Sequence, residues 1–234
     1  MNKYYDIKAK DKDSADIYIY KEINSYSPKD SEYGTSAKGF ELELKELGDI
    51  KNLDIYINSP GGDVFEGQAI YNILKRKSKT CSITVHVDGL AASIASVIAM
   101  AGDTVVMPKN SMMMIHKSST FIYGNADELE KQADVLKKVD ETIKNVYLEH
   151  SNDKLDSETL DFMLNAGDTW LTAEECLEYG LCDEVVEEVA IAAKYDKNIL
   201  NKFNNVPDVF KERKFEDKEI EDLINKVNTI SKTW

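Results

Sequence analysis

Twice in succession this chain passes from a short apolar run, through a glycine turn, into residues spaced for a helix. Residues 53–57 form the first run, Asn58-Ser59-Pro60-Gly61-Gly62 breaks it, and over 64–75 Phe65, Ala69, Ile70, Ile73 and Leu74 recur at helical intervals. Residues 82–87 then alternate β-branched and polar side chains, Asp88-Gly89 predicts a turn, and 92–100 reads as a helix of small and apolar residues. A helix between two strands of one sheet carries the chain back to the starting edge, so the strands run parallel. The repeated unit therefore points to an α/β layered core with a mainly parallel sheet.

The remaining segments extend that pattern. Alternation predicts a strand over 16–23, and Pro28 and Gly34 place a loop at 25–36. Over 39–47, Phe40, Leu42 and Leu44 alternate, but the glutamates and the spacing of Leu44 to Leu47 favour a helix. Short strands are expected at 104–107 and 112–116. A long helix over 126–150 carries Leu129, Ala133, Leu136, Val139, Ile143, Val146 and Tyr147 on one face. A helix at 156–164, a capping box of Thr172 with Glu175 opening a helix to Tyr179, a stop at Gly180 and a strand at 185–189 complete a principal domain of residues 1–189. Residues 190–234 turn lysine- and asparagine-rich with one amphipathic stretch at 215–230, and read as a C-terminal appendage, partly helical or mobile.

Charge excludes some partners. A formal net charge of −14 repels phosphate backbones, and Arg76 and Arg213 are the only arginines, so nucleic-acid binding is not expected. The longest weakly polar run, 89–102, is shorter than the ~20 residues a membrane span requires and contains two serines. Residues 1–16 are charged and lack the apolar stretch of a secretory signal. Cys81, Cys176 and Cys182 are an odd set without zinc-site spacing, which predicts reduced thiols in a cytoplasm, no disulfide and no structural metal.

Three residues stand out for chemistry. Ser93 lies where a strand and turn hand over to a helix, a place that suits a nucleophile and the oxyanion it creates. His116 ends an apolar strand and is followed by polar Lys117-Ser118-Ser119, which sets an imidazole at the rim of a sheet. Asp168 precedes Trp170-Leu171, a hydrophobic pair able to draw a carboxylate partly inward, where it would orient an imidazole. Taken singly, each has an ordinary reading: a helix N-cap, a surface histidine, a solvated aspartate. Gly61-Gly62 could be a turn and no more. His86, inside a strand, and His150, a cation at the end of the long helix, read as structural.

The joint pattern is more specific. Ile57-Asn58-Ser59-Pro60-Gly61-Gly62, Asp88-Gly89-Leu90-Ala91-Ala92-Ser93, Met114-Ile115-His116 and Asp168-Thr169-Trp170-Leu171-Thr172-Ala173-Glu174-Glu175 with Tyr179-Gly180-Leu181 resemble the Clp protease proteolytic subunit family, in the family's order, over residues 17–189. The resemblance implies the ClpP/crotonase fold, with Ser93 as nucleophile, His116 as general base, Asp168 as its orienting carboxylate, and the N–H groups of Gly62 and Ile94 as the oxyanion hole. It implies peptide hydrolysis through an acyl-enzyme with no metal or nucleotide cofactor at the site. It also implies homo-oligomeric rings in which the helix over 126–150 is the protruding handle.

Two segments depart from the housekeeping enzyme. Lys117 to Asn125 lacks its glycine-rich strand, and Ala166-Gly167 replaces its charged pair before the catalytic aspartate. The run Asp88 to Ser96 resembles the Clp-like head maturation proteases of bacteriophages and prophages, which act on scaffold and capsid proteins. The alternatives are a cellular Clp peptidase subunit working with an ATP-dependent unfoldase, a crotonase-like acyl-CoA enzyme and an inactive ring-forming shell protein.

Overall fold

Parallel pairing dominates the sheet, as the strand–turn–helix units predict. The computed structural model describes residues 7–24, 36–187 and 203–207. The elements below lie in the first of two compact units, Met1–Tyr195 and Asp196–Trp234. Most of the loop expected at 25–36 and of the appendage at 190–234, including its amphipathic stretch, lies outside the described residues.

Eight described strands form one sheet. β1 (Ile7–Ala9) pairs antiparallel with β2 (Ser14–Ile19), and β2, β3 (Asn52–Ser59), β4 (Ser82–Ala92), β5 (Thr104–Pro108) and β8 (Glu184–Val186) follow in parallel. Helix α1 (Ala37–Glu46) precedes β3, α2 (Val64–Lys77) joins β3 to β4, and α3 (Ile94–Ala99) joins β4 to β5. The register lines Ile17, Ile55, Val85 and Val105 into one row across four strands, all fully buried in the main core. On the other face Tyr18, Tyr56 and His86 form a stacked ladder with ring centroids 4.8 and 4.7 Å apart. This alternation is the period-two pattern of the sequence made physical.

The sheet forks at β4. Ile57 is level with Val87, but Ser59 is level with Ala91, so β4 carries two extra residues around Asp88, Gly89 and Leu90. The turn expected at Asp88-Gly89 is instead a bulge in a continuous strand, and the helix expected from 92 begins at Ile94. Pairing of the flanking residues overrides the turn preference: β3 and β5 partner β4 before the bulge, and β3 and β6 partner it after. Before the bulge β4 pairs with β5; after it, Leu90, Ala91 and Ala92 pair with β6 (Met112–Ile115). β6 in turn pairs antiparallel with β7 (Thr169–Thr172), so Trp170-Leu171 belongs to a strand the sequence reading did not separate. The strand expected over 16–23 ends at Ile19, and Ile23 makes only an isolated bridge to Gly62.

Helix α4 (Ala126–Ser151) opens with a capping box of Asn125 and Glu128 and is about 39 Å long at the helical rise. Its apolar face is not uniform. Ile143, Val146 and Tyr147 are buried in the core, whereas Leu129 is 44% exposed; Val135, off this face, is 43% exposed. Three polar side chains at helical spacing tie α4 to the body. Asp140 accepts from the backbone N–H and hydroxyl of Ser118, Lys144 pairs with Asp161 at 2.6 Å, and Tyr147 meets Ser96. Asp161 lies on α5 (Ser157–Asn165), and α6 (Ala173–Glu178) opens with the expected Thr172–Glu175 box. Among the described residues no helix is long and apolar enough to cross a membrane.

His150 corrects its sequence reading. Burial holds it below the ordinary imidazole value of 6.5, against the pull of Asp183 and a backbone bond to Met100, and its Nε2 is buried without a hydrogen-bond partner. It packs as a neutral ring, not as a cation completing a helix terminus. The unfolded chain then binds more protons than the folded one below pH 6.5, so stability contributed here is complete above that value and lost as pH falls toward the depressed folded-state value. We expect His150→Gln to flatten the fall in melting temperature between about pH 7.5 and pH 5. An equally steep fall in the variant would show that His150 does not supply it.

Candidate active site

Strand register brings the three chemical residues together. Parallel pairing of Leu90, Ala91 and Ala92 with Met112, Met113 and Met114 sets Ser93 level with Ile115. Antiparallel pairing of Met112 with Thr172 through Ile115 with Thr169 sets His116 level with Asp168. Each residue stands one step beyond the end of its strand, at the rim where three neighbouring strands stop. His116 Nε2 is 2.7 Å from Ser93 Oγ, and His116 Nδ1 is 2.8 Å from Asp168 Oδ1. A carboxylate accepts, so Nδ1 carries the proton and Nε2 is left to accept from the serine hydroxyl. The Asp168 side chain is only 8% exposed, which keeps water from competing for the imidazole.

Ser93 holds an unusual backbone, with φ of 53° and ψ of −130°. A residue with a Cβ rarely adopts positive φ, and such strain persists only where neighbours impose it. Its N–H donates to the Met114 carbonyl at 2.8 Å, and its carbonyl accepts from the Ser96 N–H at 3.0 Å and the Ser96 hydroxyl at 2.5 Å. Its own side chain makes no capping bond to α3, so the hydroxyl faces His116 instead of serving as the helix cap.

The glycine turn lies against this serine. An ideal Cβ on Gly61 would stand 2.7 Å from Ser93 Cβ and 3.1 Å from the Ile94 nitrogen. One on Gly62, where φ is 146°, would stand 1.9 Å from the Ile23 carbonyl oxygen. Neither position has room for a side chain. Ile23 donates to the Gly61 carbonyl and accepts from the Asp63 N–H, so the Gly62 N–H between them is turned away from Ile23. Ser59 fixes the turn from within, its hydroxyl donating to Lys21 and accepting from the Gly61 N–H, and Asp63 caps α2.

The other candidates are elsewhere. His86 pairs with Asp54 at 3.1 Å and stacks on Tyr56. Cys81, Cys176 and Cys182 are buried free thiols, and burial pushes all three up, Cys182 to about 12, so little nucleophilic thiolate forms at neutral pH. Among the described residues no group of His, Cys, Asp or Glu could hold a metal ion. Sequence reasoning missed Ser96, Tyr147 and Asp140. The one available signal was a serine three residues after Ser93 in an otherwise apolar helix.

Comparison with known proteins agrees with this architecture. The chain is 33% identical over 141 residues to the ATP-dependent Clp protease proteolytic subunit of Porphyromonas gingivalis, a match covering 59% of this chain and 61% of that protein, less than two thirds of its length. It is 34% identical over 148 residues to the protein of that name from Bacteroides fragilis, with 62% of this chain and 69% of the relative covered. The subunit from Deinococcus radiodurans is 33% identical over 163 residues, covering 69% and 78%. The family model described as Clp protease matches residues 4–189. Since that match takes in every strand and helix described above, the chain belongs to the Clp protease family.

Proposed function

We propose that the protein is a serine endopeptidase, and the hydrogen-bonded chain from Ser93 through His116 to Asp168 carries that reading. Ser93 Oγ attacks the peptide carbonyl carbon while His116 Nε2 takes its proton. Asp168 stabilises the resulting imidazolium, and the N–H groups of Gly62 and Ile94 receive the negative oxygen. The imidazolium then protonates the leaving amine, the C–N bond breaks, and an acyl-enzyme remains on Ser93. Water, deprotonated by the same imidazole, releases the acid and restores the serine. A crotonase-like acyl-CoA enzyme or an inert shell would have no use for a serine, imidazole and carboxylate in this order.

For the biological setting we propose maturation of bacteriophage or prophage heads in a host cytoplasm, acting on scaffold and capsid proteins. The resemblance of Asp88 to Ser96 supports it. A cellular peptidase served by an unfoldase is the second reading, favoured by the relatives compared above, which are named as ATP-dependent Clp subunits. Cleavage of a purified phage scaffold protein without nucleotide would support the first, and cleavage only with an unfoldase and ATP would overturn it.

The proposed assembly is a homo-oligomeric ring built on α4. Leu129 and Val135 are exposed on the half of the helix that leaves the core, and Phe121 and Tyr123, just before it, are each 97% exposed. Exposed apolar side chains of this size favour burial against another copy. Ile143 is not part of this surface, because it is buried within its own core.

Three outcomes test these readings. Ser93→Ala should lower peptide turnover by about a millionfold and abolish fluorophosphonate labelling while the protein stays folded. Activity within about tenfold of wild type would remove Ser93 from the mechanism. Asp168→Asn should lower turnover by about four orders of magnitude near neutral pH, because an amide favours the wrong imidazole tautomer, whereas His86→Gln should change it little. A comparable loss in folded His86→Gln would mean the wrong histidine is assigned. Finally, Leu129→Glu with Val135→Glu should dissociate the assembly in sedimentation experiments. A wild-type monomer at micromolar concentration would overturn the ring.

A further inference from the structure

A buried polar chain leads from the Ser93 carbonyl, and the peptidase mechanism does not use it. Ser96 and Tyr147 are both buried, and their hydroxyl oxygens are 2.7 Å apart. Ser96 Oγ is also 2.5 Å from the Ser93 carbonyl oxygen. That carbonyl has no proton, so Ser96 must donate to it. A serine hydroxyl has one proton to give, so toward Tyr147 it can only accept. The direction of the chain is therefore fixed: Tyr147 donates to Ser96, and Ser96 donates to the carbonyl of Ser93. Burial pushes the Tyr147 phenol well above its ordinary value, which keeps the donor protonated through the working range.

We propose that Tyr147 is a positioning residue for the nucleophile, acting through Ser96 to hold the peptide that links Ser93 to Ile94. This inference rests on the serine peptidase reading. Two features of the site make that peptide critical. Ser93 is in a backbone conformation that its own preferences oppose, so the carbonyl must be held from outside for Oγ to stay aimed at His116. The peptide group is also planar and trans, so the Ser93 carbonyl and the Ile94 N–H point in opposite directions along one rigid unit. Pinning the carbonyl toward the core turns the Ile94 N–H outward, where the oxyanion forms. The Ser96 N–H and hydroxyl together hold this carbonyl, and so both the nucleophile and one oxyanion donor, and Tyr147 sets the orientation of the hydroxyl bond. Tyr147 touches neither substrate nor reacting atoms.

The test uses the full chain with Tyr147→Phe, which keeps the ring and removes the hydroxyl, together with Ser96→Ala and the double variant. Tyr147→Phe should lower kcat for a short peptide about tenfold and leave KM within about twofold, because the loss falls on the transition state and not on substrate binding. In the Ser96→Ala background, adding Tyr147→Phe should change kcat by less than about twofold, since the path from Tyr147 to Ser93 is already cut. Losses that multiply in the double variant, or a folded Tyr147→Phe with unchanged kcat, would overturn the proposal. If Tyr147→Phe does not fold, Ser96→Ala decides alone: a fall in kcat at constant KM supports the chain, and an unchanged kcat refutes it. Fluorophosphonate labelling of wild type separates the two levels. Absence of labelling at Ser93 in folded protein removes the peptidase reading and this inference with it. Labelling of wild type at the same rate as Tyr147→Phe removes this inference only.

Discussion

The pairing of β6 with β4 on one side and β7 on the other is the constraint from which the site follows. Backbone hydrogen bonds fix where Met114 stands against Ala92 and where Ile115 stands against Thr169. Ser93, His116 and Asp168 are each the next residue along. Their mutual distances therefore derive from the spacing of strands, about 4.8 Å in a ladder, and not from the conformations of long loops. The bulge at Asp88 to Leu90 makes this possible, because it releases β4 from β5 and delivers its last three residues to β6. Burial of the Ile17, Ile55, Val85 and Val105 row holds the trunk of the sheet in register behind the fork.

A second layer of restraint comes from α4. Asp140, Lys144 and Tyr147 are spaced so that they share one side of the helix, and each reaches a different segment: the residues just after His116, helix α5 ahead of Asp168, and the first turn after Ser93. The ties differ in strength. Lys144 with Asp161 is a partly exposed ion pair and contributes little on its own. Ser118 and Ser96 are bonded in less solvated surroundings, where leaving a group unsatisfied is costly. The helix that displays Leu129 and Val135 at one end thus braces the chemical residues at the other.

Most strands and helices were legible because burial follows period: the alternation over 82–87 and the spacing of Ile70, Ile73 and Leu74 appear in the structure as expected. The failures share a cause. Asp88-Gly89 has the composition of a turn, and the pairing of the residues before and after it keeps it within a strand. β7 is four residues long, so Trp170-Leu171 gave too short a pattern to separate from a loop. His150 was read from its position at a helix end, but what decides its charge is the burial around it. The apolar stripe of α4 was visible, while the point where it leaves the core was not, since that depends on where the body of the domain stops. Ser93, His116 and Asp168 were reached through the joint motif. The register that unites them involves pairings between residues far apart in the chain, which no local pattern encodes.

A ladder of this kind also governs how the chain can change length. Side chains in a strand alternate faces, so removing or adding a single residue within β6 or β7 would turn His116 or Asp168 to the opposite side of the sheet. Residues 119–124, beyond the Ser118 tie to Asp140, are under no such parity rule, because α4 is anchored by its own cap and its own core residues. Insertions, deletions and new sequences there alter what surrounds the site while the three-residue geometry is inherited unchanged. The fork in the sheet thus divides the chain into positions where evolution must count in pairs and a stretch between Ser118 and the cap of α4 where it need not count at all.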